Sequence, residues 1–91
     1  MRKLAGDAWF VYVLHCCDGS LYTGITTNIE RRCQQHNDGT ASRYTRSRRP
    51  TKLVFREAHA NRGSALKREA EIKALNRTAK WALIRSRTRA G

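Results

Sequence analysis

Ninety-one residues make one small domain with a modest core, and 40% apolar content, with two Trp, three Tyr and two Phe, is too much for a wholly disordered chain. Nineteen Lys and Arg against seven Asp and Glu give a formal charge of +12, a self-repulsion best relieved by a polyanion: nucleic acid first, an anionic membrane surface second. No apolar run approaches a bilayer span, no stretch carries a wide greasy face, and the start MRKLAGDAWFVYVLHCC is broken by Asp7 without a small-residue cleavage site, which argues against membrane association and a signal peptide and for a cytoplasmic location.

Residues 1–7 read as a loose tail. Residues 9–16, WFVYVLHC, are β-branched and aromatic and predict a buried strand. Asp18-Gly19 is a hairpin turn signal, and 20–25, SLYTGI, predict the partner strand, which puts Tyr12 and Tyr22 on antiparallel neighbours. Thr27-Asn28-Ile29-Glu30 has the form of a capping box with Thr27 as N-cap, opening a helix over about 28–37 that stops near Asn37-Asp38-Gly39. A basic loop follows, GTASRYTRSRRPT, ended by Pro50; from Asp38 to Glu57 no acid intervenes among Arg43, Arg46, Arg48, Arg49, Lys52 and Arg56. Residues 52–57 predict a third strand. Ser64 is placed as the cap of a helix over about 65–76, and Thr78 as the cap of a last short helix, AKWALIR. Residues 86–91 are expected to form a short basic mobile tail. The expected architecture is α+β in the order ββαβαα, one domain over 1–91 with its core at about 8–85. The odd count of three cysteines, two of them adjacent, and the lack of any C-x-x-C pair argue against disulfides and a structural zinc, and for Cys16, Cys17 and Cys33 as reduced, core-facing thiols.

Helical geometry then separates neighbours. Ile29 and Cys33 mark the apolar face of the first helix; Arg32 lies about 60° and His36 about 20° from Ile29, while Arg31 faces away. A partly inward arginine beside a histidine calls for an anion. In the second helix Ala65, Leu66, Ile72 and Leu75 define the buried side. Glu69 falls inside that stripe, whereas Glu71 sits on its flank, four residues from Lys67. An inward carboxylate is costly alone. Either it pairs with Arg32 or a nearby lysine, or it is a ligand for a hard divalent cation. His15 and His59 read as structural or surface residues, and Tyr12 and Tyr22 could be simple strand aromatics.

Taken together, Phe10-Val11-Tyr12, then Tyr22-Thr23-Gly24, then the run from Gly24 to His36 with Asn28, Arg32 and His36 in place, and Arg68-Glu69 ahead of Ile72-Lys73 resemble the GIY-YIG nuclease domain, and in particular its small stand-alone bacterial members. The likeness covers about residues 8–85; each motif is common, the ordered set with these spacings is not. Phe10 and Val11 depart from the usual glycine and isoleucine of the first motif and Thr23 from the middle residue of the second, all backbone-packing positions. Some members place an asparagine beyond the metal-ligand helix, for which Asn76 is the nearby candidate.

The resemblance implies a three-stranded antiparallel sheet flanked by helices and phosphodiester hydrolysis with Mg²⁺ or Mn²⁺. Residue by residue, it implies Tyr12 as general base or water-orienting phenol, Tyr22 as its companion, Arg32 on the scissile phosphate, His36 in proton transfer or phosphate binding, and Glu69 on the metal. It implies nucleic acid, in the first place DNA, as substrate and partner; no obligate protein partner is evident. Tyr12 as base needs a nearby cation to lower its ordinary pKa near 10. Arg43, Arg46, Arg48, Arg49 and Lys52 are placed as sequence-neutral backbone contacts, with Arg85, Arg87 and Arg89 as further ones, and Tyr44 as a stacking surface for an unpaired base. The competing expectation is a non-catalytic nucleic-acid-binding protein, RNA- or ribosome-associated, on the same scaffold.

Overall fold

Trp9–Cys16 forms the central strand, β1, of a three-stranded antiparallel sheet in the computed structural model, which describes residues 8–88. β2 (Leu21–Thr26) lies on one side and β3 (Thr51–His59) on the other. The predicted N-terminal tail, 1–7, and Arg89 with the end of the basic tail lie outside the described residues. Successive strand side chains point to opposite faces, so a strand with no polar alternation needs cover on both. Val11 to Leu14 are all buried for this reason. Tyr12 and Leu14 pack with Ile29, Phe10, Tyr22 and Cys33 on one face, and Val11 and Val13 with Phe55, Ala65, Ile72 and Ile84 on the other.

The hairpin turn forms where Asp18-Gly19 predicts it. Gly19 takes the left-handed region, φ 89°, and Asp18 Oδ1 accepts from Ser20 N at 3.0 Å and Ser20 Oγ at 2.6 Å. This turn sets the register Tyr12↔Gly24 and Leu14↔Tyr22, so both tyrosines leave the sheet on one face. On the other side the β1–β3 register slips between Val13 and Leu14, which face Phe55 and Leu53, leaving Val54 as the extra residue of a bulge.

Helix α1 (Ile29–Asp38) covers the tyrosine face and ends at Gly39, φ 84°. Its N-cap is Asn28, not Thr27: Thr26 Oγ1 accepts from Asn28 N at 3.1 Å, which pins Asn28 extended, and Asn28 Oδ1 then accepts from Arg31 N at 3.0 Å. A one-turn helix, α2 (Arg43–Arg46), adds to the predicted ββαβαα order within the basic loop, capped by Ser42. The Arg49–Pro50 peptide is cis. Helices α3 (Arg62–Lys73) and α4 (Arg77–Thr88) complete the chain. Both start earlier than predicted because asparagines take the caps: Asn61 Oδ1 accepts from Ser64 N and Asn76 Oδ1 from Ala79 N, each at 2.8 Å. Ser64 and Thr78 therefore lie inside helices, and the tail expected from 86 begins as helix through Thr88.

Glu57 on β3 ties the sheet to both C-terminal helices. It accepts from His59 at 2.8 Å, Arg68 at 3.0 Å and Arg87 at 3.1 Å. Burial pushes its carboxyl up, but the bonds and charges of His59 and Arg68 outweigh this and hold it below the usual range. Arg87 thus has a partner within the fold. His15 packs edge-on against Trp81, 5.1 Å between centroids, which favours the structural one of the two roles expected of it. Two packing expectations are corrected. Leu66 is exposed, at 37%, because α3 docks through Ala65 and Ile72, and Leu66 lies about 100° round the helix from Ala65. Cys17 is exposed at the turn, while Cys16 is buried and Cys33 half-buried; all three are free, and burial pushes the last two thiols up. Among the described residues no helix is long and apolar enough to cross a membrane.

Candidate active site

The site begins with a space. Gly24 sits opposite Tyr12, and a Cβ built on it would lie 2.6 Å from Tyr12 Oη and 2.8 Å from Cζ. Its φ is not positive, so glycine is required for room and not for backbone conformation. The phenol swings over the bare backbone of β2 and ends 2.8 Å from His36 Nε2. His36 reaches it because Ile29 and Cys33 seat α1 on the sheet with position 36 in the same register. His36 is 1% exposed and Tyr12 2%. Tyr22 completes the aromatic group, edge-on to His36 at 5.1 Å and tilted to Tyr12 at 6.5 Å between centroids.

Electrostatics bring in two residues from elsewhere in the chain. The Tyr12 phenol feels Arg32 and Glu69 as well as Tyr22 and Cys33. Burial and Tyr22 push it well above the ordinary tyrosine value; Arg32 opposes this and is outweighed. Arg32 alone therefore does not supply the lowering that a Tyr12 base needs; the second cation expected beside it is the divalent metal. His36 moves the other way. Burial first, then the Arg32 charge, hold it down to about 4, so the ring is neutral at neutral pH.

Arg32 is half-buried and Arg31 exposed, as the helix geometry required. Among the described residues Arg32 has no ion-pair or hydrogen-bond partner, so its guanidinium stands beside His36 and Tyr12 with its donors open. Glu69 is inward, its side chain 18% exposed, against 55% for Glu71. Its partner is Lys73, Nζ to Oε2 3.2 Å, and not Arg32. Lys73 is exposed, and such i,i+4 pairs are worth about 0.3–0.5 kcal/mol, so the carboxylate is easily released to a stronger ligand. Among the described residues no three His, Cys, Asp or Glu side chains converge on a metal position. A single carboxylate suits Mg²⁺ or Mn²⁺ completed by water and phosphate oxygens, and does not suit an ion that demands a full protein cage.

The basic loop is more built than its sequence suggests. Arg48 pairs with Asp18 at 2.9 Å, donates to Tyr44 O at 2.9 Å, and lies 3.8 Å from the Tyr44 ring centroid. Arg49 donates to Arg46 O. Arg43, Arg46 and Lys52 are exposed. Tyr44, 38% exposed, stacks on Tyr22 at 5.9 Å, so the loop tyrosine abuts the site directly. Surface hollows lined by Asn37, Arg46, Ser47, Arg49 and Pro50, and by Arg43 and its neighbours, run along this loop. Asn76, the candidate for a site asparagine, is engaged as the cap of α4.

Sequence reasoning missed three contributors. Thr45, 0% exposed, lies 2.7 Å from His36 Nδ1 through its hydroxyl. Asn37 clamps Thr51, its Oδ1 accepting from Thr51 N at 2.8 Å and its Nδ2 donating to Thr51 O at 3.1 Å, which anchors β3 to the end of α1. Arg56 faces Tyr12 across β1–β3 and so adds an exposed cation to the same sheet face. No spacing signals the first two, since both contacts are non-local.

The sequence profile described as the GIY-YIG catalytic domain matches residues 8–82, almost the whole described chain. The chain belongs to the GIY-YIG family. Small bacterial proteins of the group UPF0213 are similar to this GIY-YIG chain along most of its length. One from Desulfotalea psychrophila is 55% identical over 80 residues, covering 87% of this chain and 73% of that protein. One from Staphylococcus aureus is 46% identical over 81 residues, covering 89% and 99%. The solution structure of the UPF0213 protein BH0048 from Bacillus halodurans has 42% identity and a TM-score of 0.56, covering 85% of this chain and 82% of that one. The three-stranded antiparallel sheet with flanking helices is the arrangement expected of a GIY-YIG domain.

Proposed function

We propose that this chain is a divalent-metal-dependent nuclease that hydrolyses phosphodiester bonds, in DNA in the first place, with little sequence preference. The observation that carries the reading is convergence on one phenol: Tyr12 is bonded to His36 and feels Tyr22, Arg32 and Glu69, five groups from four separate elements. A fold has no need to gather two tyrosines, a histidine and an arginine with no ion-pair partner among the described residues, within electrostatic reach of an inward carboxylate.

Arg32 pairs with the scissile phosphate and stabilises the charge that grows on its oxygens. Tyr12 orients the attacking water; as its oxygen takes a proton from that water, its own proton passes to His36 Nε2, so neither group carries an isolated buried anion. A phosphate seated on Arg32 cancels one of the two causes that depress His36 and makes the ring a better acceptor. Glu69 would hold the Mg²⁺ or Mn²⁺. Such an ion, when bound, supplies Lewis-acid stabilisation of the phosphoryl oxygens. Arg43, Arg46 and Lys52 follow the backbone without reading bases, and Tyr44 offers an exposed ring edge beside Tyr22. A cytoplasmic, one-domain protein acting in DNA repair or processing fits this activity.

The Glu69–Lys73 contact favours a second reading, a nucleic-acid-binding protein in which Glu69 is only a surface pair. Product formation on single-stranded, double-stranded and branched DNA and RNA, with Mg²⁺ or Mn²⁺ and with EDTA, separates the two. A nuclease cuts with metal, and in EDTA still binds but does not cut. Binding without product in either metal is the second reading.

A further inference from the structure

Thr45 stands on the turn of α2, in a loop whose sequence suggests only exposed charge, and yet it is the site's most deeply enclosed polar group. Among the described residues, one assignment of the hydrogen bonds around it gives every donor an acceptor. The Tyr12 hydroxyl is buried, and its partner among the described residues is His36 Nε2. A buried O–H needs an acceptor, so Nε2 accepts and is unprotonated. In a neutral imidazole the proton is then on Nδ1. That N–H needs an acceptor in turn and finds Thr45 Oγ1 at 2.7 Å, while the Thr45 hydroxyl hydrogen is directed to Ser42 O at 3.4 Å. Every donor is matched once.

We infer that Thr45 is a positioning residue, whose hydroxyl fixes His36 as the Nδ1–H tautomer and so reserves Nε2 for the Tyr12 proton. This rests on the reading of Tyr12 and His36 under Proposed function. The structure around Thr45 is built to hold it still. Ser42 Oγ accepts from Thr45 N at 3.3 Å, Arg48 N donates to Thr45 O at 2.9 Å, and Cys17 N donates to Arg48 O at 3.0 Å, which ties the loop to the hairpin. Without the Thr45 acceptor the ring gains by moving its proton to Nε2 and donating to Tyr12, and Tyr12 then has nowhere to send its own proton.

The test reads the tautomer directly. In ¹⁵N-labelled wild type near neutral pH, the His36 ring nitrogens should show a protonated Nδ1 and a bare Nε2. Thr45→Val, which keeps the shape, should shift the pattern toward Nε2–H and lower kcat on the order of tenfold, part of the 10²–10⁴ that proton transfer typically contributes, with KM for a DNA oligonucleotide unchanged. Thr45→Ser should restore both. A wild-type spectrum with the proton on Nε2 overturns the proposal whether or not Thr45→Val folds, and so does an unchanged ring pattern in folded Thr45→Val. A protein that shows the tautomer response but cuts no nucleic acid overturns the nuclease reading while supporting the assignment of Thr45 to His36.

Discussion

Gly24→Ala adds a single methyl group at a place where the structure leaves none to spare. The new Cβ would meet Tyr12 Oη at 2.6 Å, Cζ at 2.8 Å and Cε2 at 3.1 Å, all inside van der Waals contact. The ring cannot swing clear, because Tyr12 is packed against Leu14 and Ile29 and bonded to His36 at 2.8 Å. Overpacking of this kind costs about 1–3 kcal/mol. Breaking the Tyr12–His36 bond strands two buried polar groups for about 1–3 kcal/mol more. Restricting the unfolded chain returns about 0.4–1 kcal/mol. The net loss is about 1–6 kcal/mol, and at about 4–8 °C per kcal/mol for a domain this small the melting temperature should fall by at least about 4 °C. Cleavage should be lost even well below the melting point, because the phenol is displaced from His36. Thermal unfolding followed by circular dichroism measures the first, and single-turnover cleavage the second. In a Tyr12→Phe background, which lacks the nearest contact, the same substitution should cost at least about 1 kcal/mol less. A Gly24→Ala protein with unchanged melting temperature and full activity would refute the close-approach argument.

Arg32→Ala should lower the single-turnover cleavage rate by about 10²–10³, the usual cost of one preorganised charge-stabilising donor, while Arg31→Ala changes it less than about threefold; equal losses would sink the helix-face assignment. Replacing the exposed Arg43, Arg46 and Lys52 together with glutamine should reduce the slope of log binding constant against log salt by about 2–3 and leave cleavage at saturation nearly intact. An unchanged slope would take this loop out of the interface. Arg48 and Arg49 are poorer choices, since their loss also unties the loop from Asp18 and Arg46 O. His36 makes stability fall in acid. Its folded pKa, about 4, lies below the ordinary 6.5, so between those values the unfolded chain binds the extra proton and folding weakens as pH drops, on the order of 2–3 kcal/mol over the window. His36→Gln should flatten that part of a urea-derived stability profile; a profile as steep as wild type would assign the acid sensitivity elsewhere.

The local devices were legible in the sequence. The hairpin follows from Asp18-Gly19, the helix stop from Gly39, and the inward faces of Arg32 and Glu69 from the 100° step of a helix. The caps were legible only in kind. At all three mis-set helix starts an asparagine outcompeted a nearby Thr or Ser, and at α1 the decisive bond, Thr26 to Asn28 N, lies one residue outside the capping-box pattern. Non-local partners left no trace. Thr45 reads as a polar loop residue, and nothing in RYTR tells that one hydroxyl is turned inward onto a histidine nine positions back. Asn37 reads as a helix stop, and its clamp on Thr51 depends on where β3 returns. The charge runs misled in another way: Arg48, Arg49 and Arg87 looked like free cations, and each has an acceptor within the fold.

The most direct test of the account is metal-dependent cleavage by Glu69→Gln beside wild type and Glu71→Gln, with DNA binding in EDTA measured on the same preparations. Glutamine keeps the shape of Glu69 and removes the charge that a hard cation requires. The account predicts cleavage by wild type and Glu71→Gln in Mg²⁺ or Mn²⁺, none by Glu69→Gln, and equal binding in EDTA by all three. A folded Glu69→Gln protein that cuts as fast as wild type would contradict it.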